Sequence, residues 1–557
     1  MSTRRRFLSQ TAPLTLVPWL GACGGSDRSS NVALDTPRVG VDPGAVRFGF
    51  EHGVASGDPL PDAVILWTRV TPLLDPSVDA GVSADGEERL IDAGPVAVEW
   101  RVARDAAMTD LLLAGQAETN ADLDYTLKVD ARGLSSGTSY FYQFSVASAV
   151  SPVGRTRTLP EGHVERWRVA VTSCANYPQG FFHAYRKIAE RSDLDLVLYL
   201  GDYIYEYANR SFGDGEPLGR VPEPNREILT LGDYRRRYAQ YKRDPDLQEV
   251  HRLHPAVAVW DDHELADNAY RGGAKNHTEG AEGAWDERKQ VAVRAFHEWM
   301  PIRAPDPAAP IRIYRSFAVG DLTDLIMLDT RLIGRDPSPL DVCDPAVVND
   351  PDRQLLGTEQ ESWFFGELAR SAARGARWRL VGQQVAFAPL RNLPPDGACL
   401  GSSDKWSAFA GSRSRVFDAI ESGAIGNVVI LTGDAHSSWG NDLPRDPFDP
   451  AAYDPETGRG SLAVELIVPG VTSPGIPDPA EAARSDQLYR ATHPHIRYIE
   501  QYSQGYLLVT LTHAQAHAEW YYVSPVREPA ALERSGGAVA TQSGQNHLTL
   551  APGSDAI

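Results

Sequence analysis

Four apolar runs in this chain stop at residues able to hold metal ions. WRVAVTS ends before Cys174, with Asn176 two residues on, and LVLYLG ends before Asp202, with Tyr205 three residues further. AVAVW gives way to Asp261, Asp262 and His263, followed by Glu264, Asp267 and Asn268. VVILTG gives way to Asp434, with His436 two residues on. Acids crowded behind segments that read as buried repel one another and resist desolvation, so something positive must hold them. Thiolate, phenolate and imidazole suit a transition metal, whereas carboxylate and amide oxygens suit Ca²⁺, Mg²⁺ or Mn²⁺. A mixed set implies more than one ion with a carboxylate between them, an arrangement that stabilises in-line displacement at phosphorus.

Each residue taken singly also has an ordinary structural explanation. A cysteine at a strand end is commonly a small buried hydrophobe. Gly-Asp after a strand is commonly a turn, and Tyr205 and Tyr207 in GDYIYEY fit as packing aromatics. WDDHE fits the acid-rich start of a helix. What these explanations leave uncovered is recurrence at one structural position. In open α/β sheets, ligands bind beyond the carboxyl ends of the strands.

The elements that must position these residues are legible in outline. WRVAVTSC, DLDLVLYLGD, AVAVWDD, TDLIMLDTR, WRLVGQQ and GNVVILTGDAH each read as a buried strand. Helical patterns over Leu231–Asp246 and Thr278–Met300 lie among them, which predicts a layered α/β domain over residues 164–527. LAVELIVPG and GYLLVTLTHAQAHAEWYYV add further strands. Residues 47–153 differ: VAVEWRV and TSYFYQFSV alternate with period two between glycine turns, as in an Ig- or fibronectin-like β-sandwich. SPVGRTRTLPEGH reads as a linker between the two. The tail 528–557 is poor in apolar residues and is expected to be peripheral. No Rossmann glycine fingerprint or Walker loop is present.

The 557 residues carry a formal net charge of −20. That disfavours a nucleic-acid-binding surface, which needs clustered Lys and Arg. It also repels anionic substrates at long range, so binding one requires a locally positive site. MSTRRRFLSQTAPLTLVPWLGAC reads as an export signal over residues 1–23, with Arg4 to Arg6 ahead of a short apolar stretch. The arginines followed by Phe-Leu resemble a twin-arginine signal, read by the twin-arginine export machinery. Leu20-Gly21-Ala22-Cys23 resembles a lipoprotein cleavage site, with Cys23 as the lipidated membrane anchor, although an ordinary secretory signal stays open. Residues 24–46 read as a tether. An exported chain, periplasmic or at the cell surface, permits disulfides, and Cys343 and Cys399 are available to pair.

The motifs HGVASGDPLPDAVILWTRV, SCANYPQGFF, YLGDYIYEY, YRRRYAQYKRDPDLQ followed by HPAVAVWDDHE, IMLDTR, RWRLVGQQ and LTGDAHSSW, in that order, resemble the PhoD-like alkaline phosphatases. That family is related to the purple acid phosphatases within the calcineurin-like metallophosphatase fold. The resemblance implies a four-layer α/β/β/α catalytic domain, one Fe³⁺ with two Ca²⁺, and hydrolysis of phosphate mono- and diesters for phosphate scavenging. Carried over by motif, it implies iron at Cys174 and Tyr205, Asp202 as bridge, and Asn176, Asp262, Asn268, Asp434 and His436 as the remaining ligands. His263 would face substrate or leaving group, with Asp261 and Glu264 bracing from behind. Arg331 and Arg237 are candidate phosphate clamps, which a bidentate guanidinium suits; ordinary ion pairs explain them equally. Two alternatives stay open: a phospholipase D-like diesterase acting on lipid or wall polymer, and a surface lipoprotein that only binds.

Overall fold

The computed structural model describes residues 38–40, 46–74, 90–147, 149–306, 309–392, 399 and 402–553. The expected signal, Cys23 and most of the tether lie outside the described residues.

The six apolar runs that lead to candidate chemistry all form strands, and they divide between two sheets. Arg166–Thr172, Leu196–Tyr199 and Ala256–Ala258 run parallel in a ten-stranded sheet. Thr323–Met327, Trp378–Gln383 and Val428–Thr432 run parallel in a seven-stranded sheet. These runs are largely apolar on both faces because both faces of each sheet are covered. In Thr323–Met327, Leu325 and Met327 face the core shared with Val169, Leu198 and Val257 of the other sheet. Ile326 faces the opposite way, toward Phe364, Leu368, Phe417 and Ile420 of the helices Thr358–Ala373 and Ala410–Ser422. The helices His183–Ala189, Leu231–Lys242, Pro245–Leu253 and Trp285–Trp299 contribute to the core of the first sheet. The result is the expected α/β/β/α layering, with period two hidden inside continuous burial.

The helices are shorter than their patterns suggested. The stretch from Leu231 to Asp246 is interrupted at Asp244, whose side chain caps a second helix opening with Pro245. The helix expected from Thr278 starts only at Trp285, because Gly280 and Gly283 adopt positive φ ahead of it.

In the N-terminal region a five-stranded sheet containing Val96–Ala103, Leu111–Thr119 and Ser139–Val146 packs its Val98, Val102, Tyr142 and Phe144 against Val54, Val64, Leu66 and Val129. Its second layer is not a separate sheet. Val54–Gly57, Ala63–Arg69 and Thr126–Arg132 continue the ten-stranded sheet, joined where Gly57 meets Ala256. A Cβ on Gly57 would come within 2.1 Å of the Pro301 carbonyl oxygen and 2.7 Å of that of Ala256, so only glycine permits the junction.

The tail after residue 527 departs from expectation. Arg534–Gln542 pairs with Gln515–Tyr522 and is itself flanked by Thr549–Leu550 at the sheet edge. Ala538, Val539, Ala540 and Thr541 are buried in succession, so the middle of this next-to-edge strand is covered on both faces by small residues. Cys343 and Cys399 are disulfide-bonded. Deleting residues 528–557 should therefore strip an edge and not a loose end. Loss of the buried Val539 and Leu548 side chains alone removes about 3–6 kcal/mol of burial. The truncated chain should unfold at lower urea and aggregate through the bared strand Gln515–Tyr522. An unchanged urea midpoint would contradict this role for the tail.

Candidate metal centre

Every candidate ligand run emerges from the C-terminal end of a parallel strand, where the two sheets open beside one another. Cys174 and Asn176 follow Arg166–Thr172, Asp202 and Tyr205 follow Leu196–Tyr199, and Asp261 to His263 follow Ala256–Ala258. Asp434 and His436 follow Val428–Thr432 from the other sheet. The turn before Asp202 depends on Gly201, at φ +103°, whose Cβ would lie 2.3 Å from that of Asp261. Five expected ligands are themselves in the left-handed region: Cys174 (+61°), Asp202 (+53°), Asn268 (+54°), Asp434 (+59°) and His436 (+53°). Such residues cost on the order of 1–3 kcal/mol each and are found where function requires the strain.

These turns bring the ligand atoms into three overlapping groups, each with its atoms within 4.8 Å of one another. The first is Cys174, Asp202 and His436; the second Asp202, Asp262 and His263; the third Asp261, Asp262 and Asp434. Tyr205 joins the first, its hydroxyl 2.9 Å from Asp202 Oδ2 and 3.3 Å from His436 Nε2. Ser473 donates to the same hydroxyl at 2.8 Å. Asp202 is thus shared between the first two groups and Asp262 between the last two. Sulfur, phenol and imidazole donors lie at one end, and carboxylates alone lie at the other.

The surroundings leave this cluster short of positive charge. Burial, with Asp262, Glu264 and Asp434 nearby, lifts the Asp202 carboxyl well above the carboxylate range despite His263. Burial raises Asp434 to about 6 against the pull of Arg331. It would raise Asp262 as well, but Arg331 and His263 overcome it and hold that group at about 2. Burial and Asp202 push the Cys174 thiol upward. Asp261 Oδ2, Asp262 Oδ1 and Asn176 Oδ1 are buried without a hydrogen bond. Acceptors left this way cost free energy unless a cation meets them. The donor set and its unmet oxygens therefore fit a group of cations.

The acids around the centre divide by role. Glu264 accepts the backbone N–H groups of Asp202 (3.0 Å), Tyr203 (2.6 Å) and Asp261 (2.8 Å), fixing two ligand turns at once. Asp261 pairs with Arg331. Asn268 donates its backbone N–H to Asp262 Oδ2 at 2.6 Å. His263 stacks on Tyr205, ring centroids 4.2 Å apart, and its Nδ1 lies 2.7 Å from Glu206 Oε2. No hydrogen bond engages His263 Nε2 among the described residues.

Neither arginine is a free phosphate clamp. Arg237 is buried beneath the site, where it donates to the carbonyls of Tyr205, Tyr207 (3.1 Å), Glu223 (3.1 Å) and Pro224 (2.8 Å). It fixes the loop that follows Asp202. Arg331 does reach the centre, but with no exposed surface. Its nitrogens bind Asp261, Asp404 (2.7 Å) and Asp434 (3.2 Å), with Asp262 at 3.3 Å. It is an internal counter-ion.

The sequence reading passed over Glu206, Ser473 and Asp404. Glu206 stands four residues after Asp202 inside a quoted motif, and only its place opposite His263 gives it a role. Asp404, in SSDKW, follows a stretch without periodicity, and nothing in the chain pattern marks it.

Removing Arg331 leaves several buried carboxylates uncompensated. In metal-stripped protein, Arg331→Met should lower the unfolding free energy by about 3–5 kcal/mol, read as a shifted urea midpoint. A shift under about 1 kcal/mol would show that these acids are neutral without it.

Two family models match the chain: PhoD-like phosphatase over residues 169–520, and PhoD-like phosphatase, N-terminal domain, over residues 38–160. Alkaline phosphatase D of Bacillus subtilis (strain 168) is 35% identical over 517 residues, covering 92% of this chain and 84% of the relative. A solved structure described as that of PhoD superposes with a TM-score of 0.78 at 33% identity, covering 91% of this chain and 92% of the other. The chain belongs to the PhoD-like phosphatase family and is a phosphatase hydrolase of that kind.

Proposed function

We propose that the chain is an exported phosphatase that cleaves phosphate mono- and diesters at a centre of one Fe³⁺ and two Ca²⁺, releasing phosphate for uptake. The observation that carries the reading is the run of three ligand groups sharing Asp202 and Asp262. Cys174 and Tyr205 would hold the iron, with Asp202 as bridge. Asp262, Asp434, Asn268, Asn176 and His436 supply the remaining donors. Bound there, the cations would neutralise charge that builds on the phosphoryl oxygens during in-line displacement.

The chain's own residues do the rest. Glu206 holds His263 by Nδ1, so Nε2 is the nitrogen left to pass a proton to the departing oxygen. Tyr205 and Tyr207 flank the His263 ring, with centroids 4.2 and 5.3 Å away, and fix its plane. Arg331 and Glu264 hold the carboxylates in place between turnovers.

His263→Ala should lower the rate on alkyl phosphates about 10²–10⁴-fold. It should lower the rate on 4-nitrophenyl phosphate far less, because that leaving group departs without a proton. Equal losses on both would remove His263 from the proton-transfer role. Asp202→Asn should abolish hydrolysis together with iron and calcium content. An iron-free, colourless wild-type enzyme with full activity would overturn the iron assignment to Cys174 and Tyr205.

The export reading rests on the arginines at positions 4–6 and on Leu20-Gly21-Ala22-Cys23. Cys23→Ser should move the phosphatase from the membrane fraction into the soluble exported fraction. Unaltered membrane attachment would exclude the lipid anchor.

A further inference from the structure

A second group of metal-type ligands lies at the opposite end of the same strands. His163 belongs to the linker just before Arg166–Thr172, and Asp321 to the tight turn between Arg315–Val319 and Thr323–Met327. His513 sits in the turn between Gly505–Thr512 and Gln515–Tyr522. Three segments far apart in sequence thus bring two imidazoles and a carboxylate together, with donor atoms within 4.8 Å of one another.

The backbone holds this arrangement firmly. Asp321 N–H donates to the Gly162 carbonyl at 2.8 Å, and Val164 N–H donates to Asp321 Oδ1 at 3.0 Å. Gly320, at φ +47°, packs so tightly that a Cβ would meet the Gly162 carbonyl oxygen at 2.4 Å. His163 Nδ1 lies 2.9 Å from Asp321 Oδ2. His513 Nε2 lies 3.3 Å from Asp321 Oδ1, yet it is buried and takes no hydrogen bond. The two rings stack at 4.9 Å and 19°.

A single metal ion accounts for the convergence of these three side chains from separate segments. His163 Nδ1 lies beside Asp321 Oδ2 and His513 Nε2 beside Asp321 Oδ1, so the carboxylate stands between the two ring nitrogens and can present an oxygen to an ion that both reach. Two imidazoles and one carboxylate suit the zinc class of divalent transition metals, with the remaining position left to water. We propose that His163, Asp321 and His513 form a binding site for one such ion, which clips the interdomain linker to both central sheets.

The test uses full-length protein already loaded with its catalytic metals, titrated calorimetrically with Zn²⁺. The wild type should take up one Zn²⁺ per chain that the His163→Ala, His513→Ala double variant binds at least about ten-fold more weakly, a loss no smaller than that typical of changes behind a metal ligand. Zn²⁺ should raise the thermal midpoint of the wild type more than that of the variant. Phosphatase activity before Zn²⁺ addition should be the same in both. His513→Gln, a milder change, should weaken the same uptake. Identical Zn²⁺ stoichiometry, affinity and thermal shift in wild type and variants would overturn the site, because any exchange at the catalytic centre is common to all.

Discussion

A carboxylate withdrawn from water has to be met by positive charge, and this molecule withdraws many in one place. Asp202, Asp261 and Asp262 are buried side by side with the half-buried Asp434, and Glu206, Glu264 and Asp404 stand behind them. The protein answers with the fully buried Arg331 and Arg335, with His263 and with backbone N–H groups. These hold the acids in register but do not satisfy them, since Asp261 Oδ2 has no hydrogen bond and Asp262 Oδ1 has only the Arg331 guanidinium at 3.3 Å. Much of the architecture follows from that imbalance. Two sheets are needed because one cannot bring enough strand ends to a point. Left-handed turns are needed because a side chain at a strand end must swing toward that point.

Much of this was legible in the sequence because burial and chemistry alternate abruptly along it. A fully apolar strand followed at once by Cys, Asp or His is a pattern that folding alone does not require. The strands could be read from composition, and their shared destination from the repetition. The break between the helices at Asp244 was missed, although the Asp-Pro pair that makes it stands inside the pattern that was read as a single helix. The tail misled because a low apolar content reads as peripheral, whereas a strand near a sheet edge can be buried with few large apolar residues.

What escaped were the residues whose meaning depends on a partner far away in sequence. Arg237 and Arg331 look alike as isolated guanidiniums in polar company. One ends among the carbonyls of a loop 30 residues earlier and the other among four carboxylates from three chain segments. Glu206 was inside a recognised motif, but only the position of His263 gives it a purpose. Ligands announce themselves by type and setting. The groups that orient ligands do not, because any acid or base of suitable length can serve once the fold has placed it.

The junction at Gly57 bears on how such a chain can change over generations. Family models divide the sequence near residue 160, as though two modules had been joined end to end. The hydrogen-bond lattice does not divide there. It runs from the edge strand of the first region through Gly57 into the strand that leads to Asp261 and Asp262. A replacement first module would have to match its sheet's twist and register to Ala256, and arrive with a glycine where the chains touch. Recombination at the linker would break the molecule along a line it does not possess. The two regions are therefore bound to be inherited together, and drift in one is constrained by the other.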